Sequence, residues 1–202
     1  MKKKSLFYVL TACVICLLFA FAGCNNPDKP DGEGGDTPPV TVEQKVLVAY
    51  FSCTNTTKKV AEKINERIEG SDIYRITPAV PYTTADLNYN TDCRANREQN
   101  DPTARPEISG KVENIEQYDA VFIGYPIWWG QAPKIIYSFF ESCDYDFDGV
   151  TIIPFCTSGS SPIGSSATNL HGSAPKANWK SGARISGNNV DSLIGQLNQG
   201  KQ

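Results

Sequence analysis

The sequence has few of the residues on which side-chain catalysis usually depends. Its 202 residues include one histidine, His171, and it contains no G-x-S-x-G motif and no cluster of cysteines and histidines at metal-ligand spacing. The segment from Gly159 to Ser166 is similar to a phosphate-binding loop but lacks the lysine of that motif. These absences argue against triad hydrolysis, a zinc site and phosphoryl transfer.

An excess of basic residues is also missing. The chain has 19 Lys and Arg against 22 Asp and Glu, which gives a formal net charge of -3. Such a chain has no electrostatic footprint for gripping nucleic acid. Because 40% of its residues are hydrophobic and 20% are charged, close to globular averages, collagen, coiled coil and polytopic membrane proteins are excluded.

Residues 1–23 have the form of a signal peptide. Three lysines precede an uncharged apolar stretch that ends in Phe21-Ala22-Gly23-Cys24. This ending resembles the lipobox of bacterial lipoproteins, so we expect Cys24 to carry a lipid. Plain secretion at an A-x-A site and an uncleaved membrane span are the two alternatives. All three predict a location outside the cytoplasm, which we take as the bacterial cell envelope, periplasmic or surface.

Residues 24–44 predict a flexible acidic tether. The segment is rich in Gly, Pro and acidic residues and poor in large apolar side chains, so it cannot offset the entropy of ordering. The remaining residues, 45–202, are the length of one domain. Four cysteines fall in this domain, and since no spacing argues for a disulfide we expect free thiols: Cys53, Cys93, Cys143 and Cys156.

Strand and helix patterns alternate along the predicted domain. Near-continuous apolar runs predict buried strands, and amphipathic or helix-forming segments lie between them. The predicted strands are 45–51, 71–76, 120–124, 150–155 and 183–185, and the predicted helices are 57–69, 133–142, 164–172 and 189–198. Residues 77–117 are polar and weakly patterned, with one helix expected between 84 and 99. The alternation predicts a doubly wound parallel sheet with ligands bound beyond the carboxyl ends of the strands.

The first strand is followed by a loop that suits a phosphate dianion. Short hydroxyl donors and the free amides of a helix start can hold such an anion without a cationic side chain. An ordinary capped turn would need one hydroxyl, whereas this loop has four hydroxyls and a thiol. Its residues are Ser52, Cys53, Thr54, Asn55, Thr56 and Thr57.

This stretch carries a family resemblance. YFSCTNTTKKVAEKI is similar to the phosphate-binding strand, loop and helix of the flavodoxins, which usually read S/T-x-T-G-N/T-T, and the similarity extends from Val46 to about Ile185. Asn55 stands where the family usually has glycine, and asparagine is the residue next most tolerant of positive φ. The resemblance implies a flavodoxin-like sandwich with five parallel strands in the order 2-1-3-4-5 and non-covalently bound FMN.

The same resemblance assigns two further loops to the flavin. The loop after the third strand would line the flat ring, and its residues are Pro126, Ile127, Trp128, Trp129 and Gly130. Two adjacent tryptophans between Pro and Gly are not both expected in a core, although one could plug the sheet edge or both could stack on a sugar. The loop after the fourth strand would hydrogen-bond the polar edge of the ring, through Thr157, Ser158, Gly159, Ser160 and Ser161.

Several other residues have both a functional and a plainer interpretation. Cys53 lies where a helix start could lower a thiol pKa, but we expect a small loop residue. Tyr82 could approach the flavin or be a loop aromatic. The run from Asp144 to Asp148 begins like a calcium loop, yet Phe155 occupies the position of the required glutamate, so we expect a solvated turn. His171 is expected at a surface or a helix end.

Three functions remain open. The resemblance implies an electron carrier, in which no side chain need be a catalytic base because redox chemistry belongs to the cofactor. An FMN-dependent NAD(P)H or quinone reductase is the second, and a flavin-free binding lipoprotein using Trp128 and Trp129 is the third. The expected partners are a redox protein or a quinone-like small molecule, and a membrane through the lipid anchor.

Overall fold

The computed structural model describes residues 38–186 and 189–199. The predicted signal peptide, the lipidation site Cys24 and residues 24–37 of the predicted tether lie outside these residues. Within them, no helix is long and apolar enough to cross a membrane.

Short strands and helices alternate along the described chain. The strands are β1 (Val40–Thr41), β2 (Val46–Tyr50), β3 (Ile68–Glu69), β4 (Asp72–Arg75), β5 (Thr77–Pro78), β6 (Ile108–Ser109), β7 (Ala120–Pro126), β8 (Thr151–Thr157), β9 (Asn178–Trp179) and β10 (Ala183–Arg184). The α-helices are α1 (Thr56–Arg67), α2 (Arg94–Asn100), α3 (Lys134–Ser142), α4 (Gly164–Thr168) and α5 (Val190–Ile194). Single 3-10 turns cover Ala85–Leu87, Ile115–Gln117, His171–Ser173 and Gly195–Asn198.

The central sheet is parallel, with the order β4-β2-β7-β8-β10. Numbered along the chain, these five strands have the order 2-1-3-4-5, which confirms the prediction. Apolar side chains are buried on both faces because helices cover both: α1 and α5 on one, α3 on the other. The residues of β2 alternate between the two cores, with Val46 and Val48 in one and Leu47 and Ala49 in the other.

The edge next to β8 holds a second short strand that the sequence did not predict. Both β9 and β10 pair with β8, and the pairing is interrupted beside Pro154, which has no N-H to donate to a sheet. Gly182 crosses at this point so closely that a Cβ there would lie 2.0 Å from the Pro154 carbonyl oxygen. The described sheet therefore has six strands rather than five.

The folded chain begins before the predicted boundary at residue 45. Val40 and Thr41 form β1 and pair in parallel with Ile68 and Glu69 of β3. The Arg67 guanidinium donates to the carbonyl oxygen of Pro38 at 2.6 Å and also binds Asp191 of α5. The last residues assigned to the tether are thus part of the fold, held by the backbone pairing of β1 and by the packing of Val42 against the core.

Candidate functional site

Three loops meet at the carboxyl ends of β2, β7 and β8. Together they border a cleft of about 510 Å³, within the range of small-molecule sites. The predicted residues on its lining are Ser52, Cys53, Thr54, Thr56, Thr57, Pro126, Ile127, Trp128, Thr157, Ser158 and Gly159. Five predicted residues lie in the same loops but not on this lining: Asn55, Trp129, Gly130, Ser160 and Ser161.

The loop after β2 presents the start of α1 to this cleft. Asn55 is the N-cap residue, and it makes no side-chain capping hydrogen bond. The first amides of a helix have no partner within it, so those of α1 remain available to an anion. The hydroxyls of Thr54 and Thr56 lie 3.3 Å apart beside them. Backbone amides and hydroxyls at this end of the cleft therefore form an arrangement suited to a phosphate group.

Asn55 takes over the conformational role of the family's glycine. Its φ of 63° and ψ of 2° place it in the left-handed region, where asparagine is among the few tolerated residues. Its carbonyl oxygen still accepts the amide of Lys59 at 3.1 Å, the first hydrogen bond of α1. The departure at Asn55 thus preserves the backbone path of the loop.

The loop has a cationic side chain on its flank that the sequence did not predict. A guanidinium nitrogen of Arg75, at the end of β4, lies 3.4 Å from the carbonyl oxygen of Ser52. Arg75 reaches the loop because β4 pairs with β2 and both strands end at the same edge. An exposed arginine therefore adds positive potential to the flank of the loop.

Cys53 is not an activated thiol. Burial raises the pKa of Cys53 to about 11, although Arg75 and Arg94 oppose the shift. A thiol with this pKa is protonated at neutral pH and is a poor nucleophile. The side chain is half-buried and free, as Cys143 is, while Cys93 and Cys156 are free and buried. Cys53 is thus a small loop residue, as predicted.

A buried hydrogen bond joins the first loop to the third. The hydroxyls of Thr57 and Thr157 lie 2.8 Å apart, although the two residues are 100 positions apart in the chain. In the third loop, the Ser158 hydroxyl donates to the carbonyl oxygen of Ser161 at 2.5 Å. The Thr57–Thr157 bond therefore ties the first loop to the third, and the Ser158–Ser161 bond stabilises the third loop itself.

The two tryptophans of the second loop have different environments. Trp128 is 7% exposed, and its ring packs edge-on against Phe51 and Tyr82 with centroid distances of 5.4 and 5.2 Å. Trp128 forms part of the floor, whereas Tyr82 lies behind it rather than on the lining. One tryptophan is therefore buried, as the edge-plug alternative proposed, and it also lines the cleft.

Trp129 lies at the tip of a tight turn. Trp128 and Gln131 exchange backbone hydrogen bonds of 3.0 and 2.9 Å, and φ is 47° at Trp129 and 75° at Gly130. Positive φ at both central residues is the pattern of a type I′ turn, in which a bulky residue at the first position is uncommon. The second central position, after Trp129, is glycine because its φ is also positive.

Tyr89 holds this turn and forms a wall of the cleft. Its ring stacks on Trp129 with a centroid distance of 4.0 Å and an interplanar angle of 13°. Its hydroxyl donates to the carbonyl oxygen of Ile127 at 3.3 Å and accepts the amide of Trp129 at 3.4 Å. Tyr89 is 52% exposed, so part of the ring remains accessible.

Tyr89 and Leu87 are the lining residues that the sequence did not predict. Both belong to the weakly patterned segment 77–117, where the structure has a 3-10 turn at Ala85–Leu87 and α2 at Arg94–Asn100. The available signal was the isolated pair of large apolar side chains, Leu87 and Tyr89, in a polar stretch. That signal indicates burial or binding but gives no position in the fold.

A larger cleft, of about 790 Å³, lies at the opposite edge of the sheet. Several polar side chains on its lining are bound to the adjoining backbone. The Asn178 amide donates to the carbonyl oxygen of Gly149 at 2.9 Å, and Asp119 accepts the backbone amide of Lys45 at 2.8 Å. We place the candidate site at the smaller cleft, because there the first amides of α1 have no partner within the helix and no side-chain cap.

The remaining candidates have structural roles. Asp146 accepts from the Lys176 ammonium at 2.6 Å, and none of the described residues form a group suited to a metal ion. His171 lies at the start of a 3-10 turn and stacks on Trp179 with a centroid distance of 4.7 Å. The predictions of a solvated acidic turn and a helix-end histidine agree with these positions.

Comparison with known proteins finds a matching family model and similar solved structures. A family model described as Flavodoxin matches residues 45–198. A candidate flavoprotein from Bacteroides eggerthii is 48% identical, with 77% of this chain and 96% of that chain covered and a TM-score of 0.71. One from Bacteroides uniformis is 40% identical, with coverage of 76% and 97% and a TM-score of 0.69.

A more distant structure shares the fold. A flavoprotein from Lactobacillus acidophilus, solved in complex with FMN, is 24% identical, with 75% of this chain and 99% of that chain covered and a TM-score of 0.58. No curated protein matches the chain.

Proposed function

The chain belongs to the flavodoxin family, and from this premise we propose that it binds FMN non-covalently at the cleft between β2, β7 and β8 and transfers electrons through it. The observation that carries this proposal is the start of α1, which meets the cleft without a side-chain cap. A phosphate monoester supplies the negative charge that such a helix start favours.

The two ends of the cleft would bind different parts of the cofactor. Ser52, Thr54, Thr56 and the α1 amides would bind the phosphate, with Arg75 adding positive potential. We define these residues, with Cys53, Asn55 and Thr57, as the phosphate end. The buried pair Thr57–Thr157 would keep the loops at a fixed separation.

The opposite end of the cleft suits a planar ring. Leu87, Tyr89, Pro126, Ile127 and Trp128 supply an apolar and aromatic lining, which we define as the ring end. Thr157, Ser158 and Gly159 offer hydroxyl and backbone groups to a polar ring edge. When bound, the flavin supplies the electron-accepting and electron-donating chemistry, and the protein orients it and limits its contact with water.

The composition of the lining assigns the redox chemistry of the proposed site to the cofactor. Among the described residues, the lining of the cleft includes no Asp, Glu, His, Lys or Arg side chain that could serve as an acid or base for a second substrate. Its titratable groups are Cys53 and Tyr89, and burial raises the pKa of both. All chemistry at this site would therefore belong to the cofactor.

The proposal extends to location and partner. We propose that the mature protein is anchored in the bacterial envelope by a lipid on Cys24 and exchanges electrons with a redox protein or a quinone-like molecule. The support is the sequence of residues 1–24. Mass spectrometry of the mature N-terminus tests the anchor, and an unmodified start at Gly23 would overturn it.

Titration of FMN and riboflavin with the purified protein tests the cofactor assignment. We expect the protein to quench the fluorescence of FMN and to bind riboflavin, which lacks the phosphate, much more weakly. A protein that leaves FMN fluorescence unchanged would overturn the proposal and favour the flavin-free alternative. Steady-state turnover of quinones with NADH or NADPH would instead identify a reductase.

A further inference from the structure

A cluster of charged and aromatic side chains lies directly behind the floor of the cleft. The Tyr82 hydroxyl donates to one carboxylate oxygen of Glu98, and the Arg94 guanidinium donates to the other at 2.7 Å. Arg94 also lies over the Tyr82 ring, 4.1 Å from its centroid. Tyr82 in turn packs against Trp128, so the cluster reaches the cleft through one aromatic contact.

The next residue of the same helix holds the second loop. The Gln99 amide nitrogen donates to the carbonyl oxygens of Trp128 and Ala132 at 3.1 and 3.2 Å. Its amide oxygen accepts the backbone N-H of Lys134, at the start of α3, at 3.0 Å. One side chain thus binds both sides of the turn that contains Trp129 and Gly130.

The charges of this cluster are largely shielded from solvent. The side chains of Arg94 and Glu98 are 22% and 17% exposed. Removing one member of a shielded ion pair leaves the other charge poorly compensated, which costs more than the loss of a surface pair. The hydrogen bonds of the Arg94–Glu98 pair fix the geometry behind Trp128. Because the two charges are opposite, the pair adds no net charge there.

We propose that α2 is the positioning element of the ring end. Glu98, acting through Tyr82, and Gln99, acting through the loop carbonyls, hold Trp128 in place before any ligand binds. The Arg94–Glu98 pair keeps the region behind the floor electrically neutral. The inference rests on the proposed function, because the ligand positioned is the flavin ring. None of these three α2 side chains lies on the lining, so they act through the residues that do.

The two roles have separable consequences. Positioning by α2 affects contacts with the ring rather than with the phosphate. Loss of this positioning therefore lowers the affinities for FMN and riboflavin by the same factor. Charge affects reduction, because a reduced flavin carries more negative charge than an oxidised one. An uncompensated Arg94 cation behind the floor would stabilise the reduced form and raise the midpoint potential.

The test compares Glu98→Gln with Glu141→Gln in the full mature protein. Glu141 pairs with Arg105 at 2.6 Å, but its side chain is 52% exposed and away from the cleft lining, which makes it a matched control. We expect Glu98→Gln to weaken FMN and riboflavin by about tenfold each and to raise the midpoint potential, since a charged hydrogen bond is lost. Glu141→Gln should change neither quantity.

A milder variant separates geometry from charge and guards against misfolding. Tyr82→Phe removes one hydroxyl and leaves both charges, so we expect about threefold weaker binding of both flavins with an unchanged potential. If Glu98→Gln and Tyr82→Phe lower only the melting temperature, α2 is an ordinary structural helix and the inference is wrong. A wild-type protein that binds no flavin would instead overturn the proposed function, and this inference with it.

Discussion

The two ends of the cleft are built in different ways. In the proposed site the phosphate end, apart from Arg75 on its flank, comes from one continuous segment, Ser52 to Thr57, whose backbone amides and short hydroxyls would bind the phosphate. The ring end combines Leu87 and Tyr89 with Pro126 to Trp128, about 40 positions later in the chain. A site made from amides at a helix start needs only local sequence, whereas a site made from aromatic walls needs the tertiary fold to bring distant segments together.

Negative charge at the phosphate end should have the largest effect. Thr54→Asp places a carboxylate beside the proposed dianion, and at an effective dielectric near a protein surface the repulsion amounts to a few kcal/mol. We expect FMN affinity to fall by about 100-fold in fluorescence titration, with riboflavin affinity nearly unchanged.

Gln117→Glu is the control for Thr54→Asp, because it adds the same charge at an exposed residue before β7. It should leave both affinities unchanged. An equal loss of FMN and riboflavin affinity in Thr54→Asp would mean that the two ends are not independent.

Truncation at the ring end should be the next largest effect. Tyr89→Ala removes a wall of the cleft and the partner of Trp129, and stacking of an aromatic side chain on a planar base is worth about 1–3 kcal/mol. We expect FMN and riboflavin to be weakened alike, by about tenfold or more, in the same titration. Tyr145→Ala, which removes a half-buried aromatic residue elsewhere, should leave binding intact. Selective loss of FMN alone would contradict the assignment of Tyr89 to the ring.

The hydrogen bond between the first and third loops should contribute less. Thr57→Val keeps the shape of the side chain but leaves the buried Thr157 hydroxyl without its partner. We therefore expect the free energy of unfolding, measured in urea, to fall by about 1–2 kcal/mol. The double variant with Thr157→Val should lose less than the sum of the single losses. Strict additivity would show that the two hydroxyls do not depend on each other.

The smallest effect is expected at Asn55. Asn55→Gly should raise the free energy of unfolding by at most about 0.5 kcal/mol, because relief of left-handed strain is partly offset by the larger entropy of glycine in the unfolded chain. Asn55→Ala should lower it by about 1 kcal/mol. Urea denaturation of both variants measures the difference, and an Asn55→Ala protein as stable as wild type would show that positive φ at this position carries no cost.

The sequence predicts most of the fold because buried parallel strands leave a strong local pattern. The apolar runs that became β2, β7 and β8 predicted a parallel sheet, and the loops after them indicated the edge of the site, whereas the strand order came from the resemblance to the flavodoxins. The strands β1 and β9 have two residues each, too short for any periodicity to reveal them. Their positions depend on pairing with β3 and β8, which is a tertiary property.

The candidate site was predicted unevenly for the same reason. The loop from Ser52 to Thr57 has a composition that indicates its chemistry, whereas Tyr89 and Gln99 gain their roles only by contact with the turn around Trp129. The sequence could not show that Trp128 is buried and Trp129 only partly buried, because neighbouring residues in a tight turn have no fixed periodicity. Arg75 reached the first loop only through strand pairing.

The path of α1 has a practical consequence for any attachment through the N-terminal side. The helix starts at the cleft and runs for 12 residues, about 18 Å, to the place where β1 pairs with β3 and Arg67 binds Pro38. A fusion partner, an electrode linker or a bead coupled upstream of Pro38 would therefore join the protein one helix length from the cleft. Electrochemistry on a tethered protein should therefore leave the cleft, and the flavin proposed to bind there, accessible to partners in solution.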